Sequence, residues 1–88
     1  MTYSLEASPE FEEDYAGKCR KNKAFRNAVD KKITQIQENP LHYKPLQAPM
    51  QGVRRVHVQT SFVLLFEVME DTKTVRLIAL KHHDEAYE

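Results

Sequence analysis

The tightest constraint on this chain is the shortness of the links between its three C-terminal apolar runs. Val53–Gln59 and Phe62–Met69 are separated only by Thr60-Ser61, and Thr74–Lys81 follows the four residues Glu70-Asp71-Thr72-Lys73. Each link suits a hairpin and is far too short for the crossover that parallel neighbours need. The three runs therefore predict an antiparallel meander. Within it Phe62, Phe66 and the leucines between them belong to the core.

Ahead of the meander, Tyr3-Ser4-Leu5-Glu6-Ala7 alternates with period two and reads as a first strand. Ser8-Pro9 then starts a helix, because the serine oxygen can accept an orphan N–H and proline at the first helical position loses no hydrogen bond. The acids that follow suit the positive end of the helix dipole. Phe11, Tyr15 and Cys19 fall four apart on one face of it. Asn22 is the expected N-cap of a second helix, whose stripe is Phe25, Val29, Ile33 and Ile36, and Asn39-Pro40 stops it. Leu41 to Gly52, with Pro45 and Pro49, reads as a loop that delivers Lys44 toward the strands. The order β-α-α-β-β-β defines an α+β class: two N-terminal helices on one face of a mainly antiparallel four-stranded sheet, its other face left free. At 88 residues the chain is expected to form one domain, 1–88.

Composition removes several function classes. Cys19 is the only cysteine, so an intramolecular disulfide is impossible and no structural zinc framework is expected. The N-terminus has no basic stretch followed by an apolar run, and the longest apolar run, Phe62 to Phe66, is too short to span a bilayer. A cytoplasmic protein without membrane attachment is the expectation. Neither a glycine-rich phosphate loop nor a His-Glu-x-x-His motif occurs, so no cofactor and no metal are expected. Net charge is zero but segregated: residues 1–17 carry −5, residues 18–55 carry +8 and residues 56–88 carry −3. Such a block permits a polyanion-binding face in a neutral chain, although basic runs are more often simply solvated helix surface.

Period two in Val53–Gln59 puts Arg54, Val56 and Val58 on one side and Arg55 and His57 on the other. With the valines inward, Arg55 and His57 project from the face the helices leave open. In the last strand Leu80 and His82 share one side, and Lys81 and His83 the other. Tyr87 lies four residues beyond His83, within reach if the chain turns helically. Two imidazoles, a guanidinium, an ammonium and a phenol on one surface suit metal-free RNA cleavage. The RNA's own 2′-hydroxyl must be deprotonated, the anionic phosphorane stabilised and the leaving 5′-oxygen protonated. Histidine, with an ordinary pKa of about 6.5, suits both proton transfers. Arginine and lysine suit the phosphorane, and tyrosine can stack on a base. A lone strand histidine is more often an ordinary surface residue; convergence on one face is what favours chemistry.

Gly52-Val53-Arg54-Arg55-Val56-His57, followed by Phe62-Val63-Leu64-Leu65-Phe66, resembles the Gly-x-Arg-x-x-His and Trp-h-Leu-h-Tyr segments (h, apolar) of YafQ-like toxins in the RelE/ParE superfamily. His83-Asp84-Glu85-Ala86-Tyr87 resembles the terminal His-x-x-x-aromatic motif of that group. The resemblance implies a RelE-like fold and a type II toxin that cuts messenger RNA in the ribosomal A site and is neutralised by a cognate RelB- or DinJ-like antitoxin in a hetero-oligomer. It implies proton transfer by His57 and His83, aromatic positions at Phe62 and Tyr87 with Tyr87 in the catalytic set, and catalytic or phosphate-binding cations at Arg55 and Lys81. Arg54, Lys44, Phe62 and Ser61 are the implied RNA contacts. Ser61 stands where YafQ-like toxins carry a catalytic aspartate, and His42 lies in a loop of different length from the one that carries their additional histidine. A ParE-like gyrase inhibitor and a non-catalytic antitoxin-binding relative are the alternatives.

Overall fold

The computed structural model describes residues 2–43 and 52–82. Along the chain run β1 (Ser4–Ala7), α1 (Pro9–Cys19), α2 (Lys23–Glu38), a 3₁₀ turn (Pro40–His42), β2 (Val53–Val58), β3 (Phe62–Met69) and β4 (Thr74–His82). The expected loop after Asn39-Pro40 thus begins with one helical turn. The sheet order is β1-β4-β3-β2. Its last three strands form the expected antiparallel meander, while β1 joins β4 in parallel after the chain has crossed through both helices.

Both helix starts follow from their caps. The Phe11 amide donates to Ser8 Oγ at 3.1 Å, and the Phe25 amide donates to Asn22 Oδ1 at 3.0 Å. Ser8 has a second duty, because its hydroxyl donates to the Ile78 carbonyl at 2.6 Å. The pairing of β1 with β4 stops at Ala7 and Leu77. Past that point α1 runs beside β4, and its side chains satisfy backbone groups that a shorter edge strand leaves open.

The main core lies between the helices and one sheet face. It joins Phe11 and Cys19 of α1 and Phe25, Val29 and Ile36 of α2 to Val56, Val58, Leu64, Phe66, Val75, Leu77 and Leu80. Ile33 completes the α2 stripe as a partly buried member. Burial pushes the Cys19 thiol above its ordinary pKa, so it is suited to packing rather than to attack.

Two findings correct the expected outline. The face opposite the helices is not bare: Val63, Leu65 and Ala79 are buried there in a second, small cluster that includes no residue of α1 or α2. The uninterrupted run Phe62–Phe66 carries the signal for this, since a strand buried on both faces loses its alternation. The β2–β3 hairpin also needs one more residue than Thr60-Ser61. Val58 pairs directly with Phe62, and Gln59 enters the turn with a φ of 56°. A non-glycine residue held there costs about 1 kcal/mol. Gln59→Gly is therefore expected to raise the melting temperature by about 2–6 °C, read by thermal denaturation.

Candidate active site

The register sets out the face that the helices do not cover. His57 of β2, Val63 of β3 and Lys81 of β4 stand in one cross-strand row; Arg55, Leu65 and Ala79 form the next; Val53, Glu67 and Arg76 form a third. His57 and Lys81 are thus separated by two strand spacings, about 10 Å between Cα atoms, over a floor made by Val63. Arg55 lies two residues along the same strand, about 7 Å from His57. Arg55 and His57 are exposed, and Lys81 is partly buried.

Lys81 reaches this face only because β4 is irregular. Leu65 pairs with Ala79 but the adjacent Phe66 pairs with Leu77, which leaves Ile78 as an extra residue. The bulge lets Leu77 and Leu80 both point into the main core although they are three apart. Continued strict alternation from Val75 and Leu77 would have sent Lys81 toward the helices. Instead Lys81 shares the side of His57, and its ammonium meets α1 at the sheet edge. Nζ lies 3.0 Å from Asp14 Oδ1 and 3.1 Å from Glu10 Oε2. Asp14 also accepts the Leu80 amide through Oδ2 at 3.1 Å, and its side chain is only 11% exposed.

These carboxylates, Asp14 first and Glu10 second, raise the Lys81 pKa above its ordinary 10.5. A raised folded-state pKa means stability that is fully present below the unfolded value and lost as pH rises through the folded one. Denaturation midpoints should therefore fall more steeply above about pH 10.4 in the unaltered protein than in Lys81→Met. Parallel curves for the two proteins would show that the contact does not hold in solution.

The remaining sequence-derived positions separate. Arg54 lies on the helix side and donates to the Tyr43 carbonyl. Phe62 also faces that side, its ring 4.7 Å from that of Phe25 and 5.4 Å from that of His82. Ser61 is exposed in the hairpin turn. Lys44, His83 and Tyr87 lie outside the described residues. Glu10 and Asp14 were not singled out from the sequence. Their signal was available in part: they are four apart on α1, and Asp14 borders the Phe11–Tyr15 stripe, an unusual place for an acid with no partner.

The fold is shared with known toxins. It matches the YoeB/ParE toxin from Agrobacterium tumefaciens with a TM-score of 0.82 at 15% identity, covering 91% of this chain and 98% of that one. It matches a chain of the E. coli DinJ–YafQ toxin–antitoxin complex with a TM-score of 0.78 at 20% identity, over 100% of both chains. The architecture is that of the RelE/ParE toxin superfamily. In sequence, the chain is 38% identical over 85 residues to "Putative toxin RelE4" of Methanocaldococcus jannaschii, covering 97% of this chain and 90% of that protein. The profile of the ParE toxin of type II toxin–antitoxin systems matches residues 5–87, and the chain belongs to that family.

Proposed function

We propose that this toxin is a ribosome-dependent endoribonuclease that cuts messenger RNA without a metal, leaving a 2′,3′-cyclic phosphate and a 5′-hydroxyl. The supporting observation is the cross-strand row in which His57 and Lys81 flank Val63 on one face, with Arg55 beside them. In this reading one imidazole takes the proton of the 2′-hydroxyl as that oxygen attacks phosphorus. The second imidazole gives a proton to the departing 5′-oxygen. His57 supplies one, and His83, which continues β4 in sequence, supplies the other. Arg55 and Lys81 stabilise the phosphorane, and Tyr87 stacks on a base or assists proton transfer. Lys44 and Ser61 contact the RNA backbone. Arg54 and Phe62, placed on the helix side, support β2 and the hairpin end from beneath. Ser61 cannot act as the carboxylate it replaces, so the imidazoles and cations carry the reaction. The reaction takes place in the ribosomal A site in the cytoplasm.

A cognate antitoxin of the RelB or DinJ kind completes the pair as a hetero-oligomer; relatives of the same fold are toxin–antitoxin complexes, RelBE2 of Mycobacterium tuberculosis and DinJ–YafQ of E. coli among them. Toe-printing of message on translating ribosomes tests the reading. A-site cuts should appear with the unaltered protein and fall at least about tenfold with His83→Ala. Equal cutting by the two proteins would remove the two-histidine mechanism. The family's description as ParE favours one second reading, inhibition of DNA gyrase by binding. A supercoiling assay separates them: the ribonuclease leaves gyrase activity unchanged, and a ParE-like inhibitor abolishes it.

A further inference from the structure

We propose that Asp14 of α1 is a positioning residue for the RNA-cleaving face, holding the Lys81 ammonium in place through a carboxylate that is itself anchored to the backbone of β4. This rests on the ribonuclease reading above.

The geometry is a two-handed grip. Asp14 Oδ2 accepts the amide of Leu80 at 3.1 Å, while Oδ1 takes Nζ of the next residue, Lys81, at 3.0 Å. The head of the lysine is thereby tied to its own strand, and the side chain that ties it is only 11% exposed. Glu10 adds a looser contact at 3.1 Å from a carboxylate that is 58% exposed. A lysine on an unsupported strand end would sample many rotamers, and ordering it would be left to the substrate. An ammonium has three N–H donors, so two carboxylate contacts leave one donor for a phosphate oxygen. Two neighbouring anions also weaken its attraction for phosphate. The grip therefore makes Lys81 an aimed hydrogen-bond donor rather than an open positive charge. The opposite role, in which the acids mask the lysine, makes the contrary prediction for the same variant.

Asp14→Asn keeps an oxygen able to accept the Leu80 amide and presents no anion to Lys81. On ribosomes programmed with one message, kcat for cutting should fall about tenfold while KM stays within about twofold. The NMR titration of the Lys81 side chain should move down toward the ordinary lysine value. In a Lys81→Met background the same substitution should cause no further loss, because the effect passes through the lysine. Glu10→Gln, which alters an exposed carboxylate and spares the fold, should slow cutting by no more than about threefold. Faster cutting by either variant, an unchanged kcat in Asp14→Asn, or a full loss that persists without Lys81 would each overturn the proposal. The two readings fail differently: an unaltered protein that makes no A-site cut ends the ribonuclease reading and this role with it. An unaltered protein that cuts beside an equally active Asp14→Asn ends only the role of Asp14.

Discussion

His57→Ala is expected to slow message cleavage on ribosomes by about 10²–10⁴-fold, the usual worth of one positioned acid or base. The side chain is exposed on the face away from the main core, and its strand neighbours Val56 and Val58 supply the packing of that segment. Truncation therefore removes chemistry without removing core, and the melting temperature should move by less than about 4 °C, as for an exposed substitution costing under 0.5 kcal/mol. Single-turnover cleavage and thermal denaturation of the same preparation check both halves. Loss of cutting accompanied by loss of fold would assign His57 to structure instead of catalysis.

Phe66→Ala should do the reverse, destroying the fold before any question of activity arises. Phe66 is fully buried at the centre of β3, packs edge-on against Tyr43 with ring centroids 5.8 Å apart, and faces both helices through the main core. Emptying such a site costs about 3–5 kcal/mol. A domain of this size has only about 5–10 kcal/mol in total. The melting temperature is expected to drop by at least about 12 °C, with aggregation on expression as a frequent result. A drop below about 4 °C would mean that the Tyr43 side can collapse into the space, contrary to the close packing described.

The sequence carried most of this fold in local signals. Ser8-Pro9 and Asn22 announce caps that form as expected, and the two short links dictate the meander. The stripes of α1 and α2 name the core residues almost one for one. Three features were not legible. The parallel seat of β1 depends on where two helices bring the chain back, which no local pattern specifies. Ile78 is an ordinary strand residue, and nothing in its neighbours marks a bulge, because the bulge is settled by which of Leu77, Leu80 and Ala79 the two sides of the sheet can bury. The grip of Asp14 on Lys81 joins residues far apart in the chain and appears only once α1 lies along the edge of β4. For the site, period two placed Arg55 and His57 together and turned Arg54 away, and it grouped Lys81 with them by treating only the strand end. That grouping agrees with the structure because the single extra residue, Ile78, shifts the alternation of β4 by one position ahead of Lys81.

The most direct measurement concerns the ends of the cut message. A short labelled message bound in ribosomes, incubated with purified toxin in excess EDTA added after the ribosomes are cross-linked, should yield a 5′ fragment ending in a 2′,3′-cyclic phosphate and a 3′ fragment beginning with a free 5′-hydroxyl. A 3′-hydroxyl with a 5′-phosphate, or an intact message under conditions where the antitoxin still binds, would contradict cleavage by the face that carries His57 and Lys81.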